Sequence, residues 1–256
     1  MPDPTAAAAS ANRPPLVVVP SIDLRGGKVV RLRQGDYADQ LNYAVDPLAT
    51  ARQFREAGAE WMHIVDLDGA KEGRPVQTDL VARVIAASGL KVQTGGGVRS
   101  TEDIRKLIDA GASRVVVGTK AIEDWAWFES LMAQPAFAHK VVLALDAKDG
   151  MVATRGWTET SALRAVDVAT RVAAWPVGAI LYTDVAKDGM MQGPNVEQTK
   201  RLADAGPVPV IASGGVGHVG HVKAVRDAGG IWGVIVGRSL YEGTLDLREA
   251  IAAARG

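Results

Sequence analysis

The chain has 256 residues, 47% hydrophobic and 23% charged, with 29 Lys plus Arg set against 29 Asp plus Glu. That balance is ordinary for a globular protein, and the lack of a basic excess argues against a nucleic-acid partner. With no Cys, disulfides, thiol nucleophiles and Cys-ligated zinc are excluded, and no apolar run reaches the roughly 18 residues of a membrane helix.

Residues 1–15, MPDPTAAAASANRPP, are rich in Ala and Pro and lack a basic n-region. They are expected to form a disordered tail rather than a signal peptide, which makes the cytoplasm the expected compartment. Residues 16–256 are expected to form one domain. The first strand, LVVVPSID, ends on Asp23 and is followed by LRGG. The helix DPLATARQFREAG follows, with Asp46 as its N-cap, Pro47 at its first position and Gly58 at its stop. The second strand, WMHIVDL, carries His63 and Asp66, and the third, KVQTG, runs into Gly96 and Gly97. A helix with a Ser/Thr start, STEDIRKLIDAG, leads to the fourth strand, RVVVG, which ends at Gly118 and Thr119.

The fifth strand, KVVLALD, again ends on an aspartate, Asp146, and ATRGWTETS follows, with Arg155 and Trp157. The sixth, VGAILYTD, brings Thr183, with Asp184 and Asp188 in its loop. After the helix NVEQTKRLADAG, the seventh strand VPVIASG reaches Gly214 and Gly215. After HVGHVKAVRDAGG, the eighth, WGVIVG, reaches Gly237 and Arg238. Continuous apolar runs of this kind suit parallel strands covered on both faces. Eight strand–helix units without a break in composition predict an α/β fold, the (β/α)8 TIM barrel, with an open doubly wound sheet as the alternative. The Gly-Gly turns, the Asp-Ala-Gly helix ends and the strand-end aspartates all recur about half a chain apart, so the barrel is expected to be two fused half-barrel repeats.

In such a barrel the working face lies at the C-terminal ends of the strands. Glycines there admit close backbone approach, and helix N-termini attract anions. Two such loop pairs on opposite sides of the ring predict a ligand with a phosphate at each end; the alternative is that the glycines serve tight turns alone. Strands one and five are diametrically opposed, so Asp23 and Asp146 are expected to face each other as an acid–base pair whose pKa values are pushed apart. The alternative is an Asx cap for each, the role expected of Asp39 and Asp149. His63, inside an apolar run, reads from its surroundings as a core histidine. Arg155 and Trp157 are placed on a long mobile loop that would close over a flat heteroaromatic ring and a phosphate, or else anchor the rim. Trp125 and Trp127 fit a core or interface. His218 and His221 lack any H-E-x-x-H context, so no metal site is expected.

The segments IDLRGGKVVRLRQGDY, WMHIVDLDGAKEG, QTGGGVRS, VVGTKAI, LALDAKDGMVATRGW, YTDVAKDGMMQGPN, IASGGV and GVIVGRSLYEG resemble the phosphoribosylformimino-5-aminoimidazole carboxamide ribotide isomerases of histidine biosynthesis, from Leu16 nearly to the C-terminus. The resemblance implies a twofold-repeat barrel and a cofactor-free Amadori rearrangement of a bisphosphate. It implies Asp23 as proton acceptor and Asp146 as proton donor, with Thr183 and Asp188 at the mouth and Asp188 assisting the acid step. It places phosphates at Gly96 and Gly97 with Gly118 and Thr119, and at Gly214 and Gly215 with Gly237 and Arg238. It makes Arg155 and Trp157 a closing loop and His63 a substrate contact, the reverse of the unaided reading. No metal and no cofactor are implied; the partner is the small-molecule substrate, and a monomer is expected.

Ile22 and RGG around Asp23 depart from the related cyclase subunit of imidazole glycerol phosphate synthase, which usually has a Cys before that aspartate and Lys-Asp-Gly after it. The loop DGMMQGPN and Gln34–Tyr37 favour the single-substrate isomerase over the dual type that also takes phosphoribosylanthranilate. Pro194–Asn195 is shared with the dual type, which stands as an alternative; a non-catalytic phosphosugar-binding or structural subunit is another, against which both aspartates and the Trp157 loop argue.

Overall fold

A computed structural model describes residues 15–33 and 35–256. The expected tail, apart from Pro15, and Gln34 lie outside the described residues. Eight parallel strands form a ring: β1 (Val17–Arg25), β2 (Trp61–Asp66), β3 (Lys91–Gly95), β4 (Arg114–Val117), β5 (Val141–Lys148), β6 (Ala179–Asp184), β7 (Val210–Ser213) and β8 (Gly233–Val236). The ring closes because β8 pairs with β1, Val18 opposite Val234, while β5 pairs with β6, Leu145 opposite Tyr182. The fold is therefore the (β/α)8 barrel, and the open-sheet alternative is set aside.

The apolar runs follow from burial on two sides. One set of side chains, including Val19, Trp61, Val142, Leu181, Ile211 and Ile235, fills the barrel interior. The other set packs outward under the helices, in two large clusters around Phe128, Leu131 and Val168 and around Phe54, Val84 and Val222. The helix starts use short polar side chains as read from the sequence. Asp46 Oδ1 accepts the Ala49 N–H at 2.8 Å ahead of helix Pro47–Glu56. Ser100 and Asp103 form a reciprocal capping box on helix Thr101–Asp109. His218 does the same work for helix Val219–Ala228, its Nδ1 accepting the Gly220 N–H at 3.1 Å, and its ring lies 3.7 Å from that of His221. Trp125 packs edge-on against Phe128 and Trp175.

Two β-hairpins stand on the mouth beyond the ring. One, Lys28–Arg33 with Asp36–Asn42, follows β1; the other, Met151–Thr154 with Glu159–Arg164, follows β5. The loop expected to be long and mobile at 153–161 is thus the tip of a hairpin. β1 and β5 run on past the aspartates to Arg25 and Lys148, where they join these hairpins. Asp39 lies inside a hairpin strand, and Asp36 Oδ1 accepts the Ala38 N–H at 2.8 Å. The strand Asp36–Asn42 is polar and exposed over most of its length, so it carries none of the apolar signature that marks the barrel strands.

Candidate active site

The inward positions of each strand alternate, so Ser21 and Asp23 on β1 face the interior together, as do Ala144 and Asp146 on β5. Asp23 and Asp146 therefore project from opposite sides of the ring at its C-terminal mouth. Asp23 is buried, 7% exposed. Its Oδ2 accepts from Arg31 Nη1 at 2.9 Å, and Arg31 Nη2 reaches Asp188 Oδ1 at 2.5 Å. Asp188 is itself placed by its backbone, whose N–H donates to the Asp184 carbonyl at 3.0 Å. Asp146 is partly buried and takes a different kind of partner. Trp157 Nε1 donates to its Oδ2 at 2.8 Å, and Thr183 on the adjacent strand stands beside it in register.

Desolvation raises the pKa of both aspartates. At Asp23 the Arg31 cation opposes burial and the Asp188 charge adds to it. At Asp146 the Trp157 and Thr183 hydrogen bonds oppose burial and Asp188 again adds to it. Both values move up. What separates them is the chemistry of their partners, a guanidinium at Asp23 and neutral donors at Asp146. Burial works against the charge on Arg31, but the Asp188 and Asp23 carboxylates overcome it and raise its pKa.

His63 is 6% exposed on β2. Its Nδ1 lies 3.2 Å from Gln93 Nε2 on β3. Burial, then the Arg31 charge, pushes its pKa down to about 4, so the ring is neutral at pH 7. It lies one inward step below Asp23, being the register partner of Ser21.

The glycine loops owe their glycines to protein packing. Gly96 has φ +122°, and a Cβ there would stand 2.0 Å from the Asp66 carbonyl oxygen. A Cβ on Gly215, at φ +88°, would stand 2.5 Å from the Gly193 carbonyl oxygen. Gly97 and Gly214 sit in the same two turns with positive φ. Gly118 and Gly237 each precede a short helix, Thr119–Glu123 and Arg238–Tyr241, that starts without a side-chain cap. Thr119 Oγ1 accepts the Arg155 N–H at 3.1 Å. The Arg238 guanidinium ties its own helix to the β6 loop, through Glu242 at 2.5 Å and the Gly189 carbonyl at 2.6 Å.

Asp66 and Asp184 do structural work. Asp66 accepts the backbone N–H groups of Gly69, Val76 and Gln77 at 2.8, 2.7 and 2.9 Å. Asp184 accepts from the Ala186 N–H at 3.0 Å and from Asn195 Nδ2 at 2.7 Å. Arg155 takes the rim position that is the alternative reading of its loop. Its guanidinium is exposed at the rim and paired with Glu123 at 2.8 Å and Glu159 at 3.0 Å, so it is not gathered with the aspartates. Its neighbour Trp157 does reach into the mouth, lying so close to Gly35 of the opposite hairpin that a Cβ there would fall 2.8 Å from the indole. Among the described residues no group of three or more His, Cys, Asp or Glu is placed to hold a metal ion, and no helix is long and apolar enough to cross a membrane.

Residues 17–246 match the family described as histidine biosynthesis protein. The chain belongs to that family. A protein of Pseudomonas entomophila, named 1-(5-phosphoribosyl)-5-((5-phosphoribosylamino)methylideneamino) imidazole-4-carboxamide isomerase, is 48% identical over 93% of this chain and 97% of its own length. Proteins of the same name from Acinetobacter baylyi and Sorangium cellulosum are 47% and 49% identical, over 92% and 93% of this chain and 96% and 98% of their own lengths.

For this histidine biosynthesis protein, sequence reasoning passed over two residues that the fold brings to the site. Arg31 sits in an alternating run between Val30 and Leu32, both buried. The signal was a lone guanidinium between apolar neighbours just after Asp23. Gln93 gives a similar signal, an amide inside the apolar strand KVQTG, and the structure buries it wholly.

Proposed function

We propose that the chain is an aldose–ketose isomerase of histidine biosynthesis, converting the phosphoribosylamino group of phosphoribosylformimino-5-aminoimidazole carboxamide ribotide to its phosphoribulosyl isomer. The observation that carries this reading is the unequal pair of desolvated carboxylates across one mouth, Asp23 bonded to a cation and Asp146 to neutral donors. A protonated carboxyl placed at the ribose ring oxygen opens the ring and leaves a C1=N Schiff base. A carboxylate placed at C2 then takes the C2 hydrogen to form an enolamine. Loss of the O2–H proton with protonation at C1 completes the 2-ketose. Hydrogen moves within one molecule, so electrons balance with no external oxidant.

Asp23 suits the base, because a bound guanidinium favours its ionised form. Asp146 suits the acid, because desolvation with neutral partners favours the protonated form. Asp188, within the field of both, assists the acid step. The loops at Gly96, Gly97, Gly118 and Thr119, and at Gly214, Gly215, Gly237 and Arg238, take the two phosphates. Their glycines secure the loop fold, and the uncapped helix starts supply the N–H groups. Trp157 covers the substrate from the β5 hairpin, and Arg155 joins it once released from Glu123 and Glu159. The enzyme acts in the cytoplasm as a monomer.

The test is turnover by the purified chain, followed chromatographically with this substrate and, separately, with phosphoribosylanthranilate. Turnover of the first and negligible turnover of the second is expected. Comparable rates on both make it a dual isomerase, and no turnover of either overturns the reading. Asp23→Asn and Asp146→Asn are each expected to lower kcat by about 100-fold or more, with the folded state intact by circular dichroism.

A further inference from the structure

Below the mouth, a polar row crosses the barrel interior. Gln93 on β3 is the register partner of His63 on β2 and of Arg114 on β4. Partners in parallel strands point to the same face, so all three side chains belong to the barrel interior. Gln93 is wholly buried, 0% exposed. Its Nε2 lies 3.2 Å from His63 Nδ1, and its Oε1 is buried without a protein partner. Arg114 closes the floor between two indoles, its Cζ 4.5 Å from the centre of the Trp61 ring and 5.0 Å from that of Trp232. Its Nη1 is also buried without a protein partner.

The two unpartnered atoms are complementary, a carbonyl-type acceptor and a guanidinium donor on neighbouring strands. The Arg114 charge on one side of Gln93 favours the amide oxygen toward the floor and therefore turns the amide N–H2 toward His63. A donor at Nδ1 requires a lone pair on Nδ1. In a neutral imidazole the ring proton then sits on Nε2. The ring is neutral here, because it is desolvated and feels the Arg31 cation.

We propose that Gln93 is a positioning residue: it holds His63 as the Nε2–H tautomer, so that the ring presents a hydrogen-bond donor to a substrate oxygen at the mouth. This rests on the isomerase reading above for its catalytic consequence. A neutral N–H donor aimed at the oxygen on C2 stabilises the negative charge that develops there as the O2–H proton leaves and the enolamine becomes the ketose, and it stabilises that transition state more than the ground state. The loss of Gln93 therefore falls mainly on kcat rather than on KM.

The experiment uses full-length protein labelled with 15N at histidine, of which the chain has four. The His63 signals are assigned by their disappearance in His63→Asn. At pH 7 the wild type is expected to show a protonated Nε2 and a bare Nδ1; a protonated Nδ1 overturns the proposal. Gln93→Met keeps the volume and removes the donor. It is expected to give a mixture of tautomers and to lower kcat about tenfold or more, with KM little changed. Wild-type kcat in Gln93→Met, or a lowered kcat with the tautomer unaltered, overturns the proposal. If Gln93→Met does not fold, the wild-type spectrum still decides. That spectrum is read without turnover, so a failure of the isomerase reading and a failure of the tautomer assignment are told apart.

Discussion

Asp23 and Asp188 are held by one guanidinium: Arg31 reaches the first at 2.9 Å and the second at 2.5 Å. Both carboxylates are buried, and the Asp188 charge raises the pKa of Asp23. The Arg31 charge sits between them and offsets that repulsion, which couples the β1 hairpin to the β6 loop.

Removing Arg31 leaves two buried carboxylates unpaired, and losing one partner of a buried ion pair costs about 3–5 kcal/mol. Arg31→Met is therefore expected to lower the stability measured by urea unfolding by that order. Adding Asp188→Asn to Arg31→Met should recover part of the loss, because one uncompensated charge is gone. A double variant no more stable than Arg31→Met alone would contradict this coupling.

Trp157 tests the acid assignment. Its indole N–H favours the ionised form of Asp146, so Trp157→Phe lets the Asp146 pKa rise further. An acid must be protonated to act, so the alkaline limb of the kcat/KM profile is expected to move to higher pH in Trp157→Phe. A limb that stays in place would separate Asp146 from the acid step.

His63 tests the electrostatics of the interior. Its pKa is about 4 in the fold against 6.5 for the unperturbed group. Between those values the unfolded chain binds a proton that the folded chain refuses. Its contribution is therefore full above about pH 6.5 and is lost as the pH falls toward 4, by on the order of 3 kcal/mol. Asp23 and Asp146 act in the opposite sense, since their raised values favour the fold toward low pH and that contribution fades as the pH rises through them. The difference in unfolding free energy between wild type and His63→Asn isolates the histidine. It should shrink from pH 7 to pH 4, and a pH-independent difference would refute the assignment.

The glycine loops give a contrast in one experiment. A Cβ at Gly96 would meet the Asp66 carbonyl at 2.0 Å, while one at Gly26 would meet nothing within 4 Å. Both positions have positive φ, so both alanines carry backbone strain of about 1–2 kcal/mol. Gly96→Ala adds a collision with backbone and is expected to lose more than about 4 kcal/mol. Thermal unfolding of the two variants should differ accordingly, and equal losses would mean the loop at Gly96 yields freely.

The barrel was legible because its strands are buried on both faces and so write unbroken apolar runs, such as VVVPSID and VVLALD, into the chain. The helix starts at Asp46 and Ser100 were legible because capping is local, between residues three apart. The hairpins were not, because Asp36–Asn42 pairs only with its neighbour strand and leaves most of its side chains in solvent.

By itself, then, the sequence settled the ring of strands, the opposed Asp23 and Asp146, and the glycine turns, since each rests on periodicity or on chemistry within a few residues. The tertiary structure alone decided their partners. Arg31 meets Asp188 across 157 positions, Trp157 folds back on Asp146, Gln93 finds His63, and Arg155 goes to Glu123 and Glu159 rather than to the mouth. Desolvation and charge depend on which groups share a small volume, and only closure of the barrel brings these together.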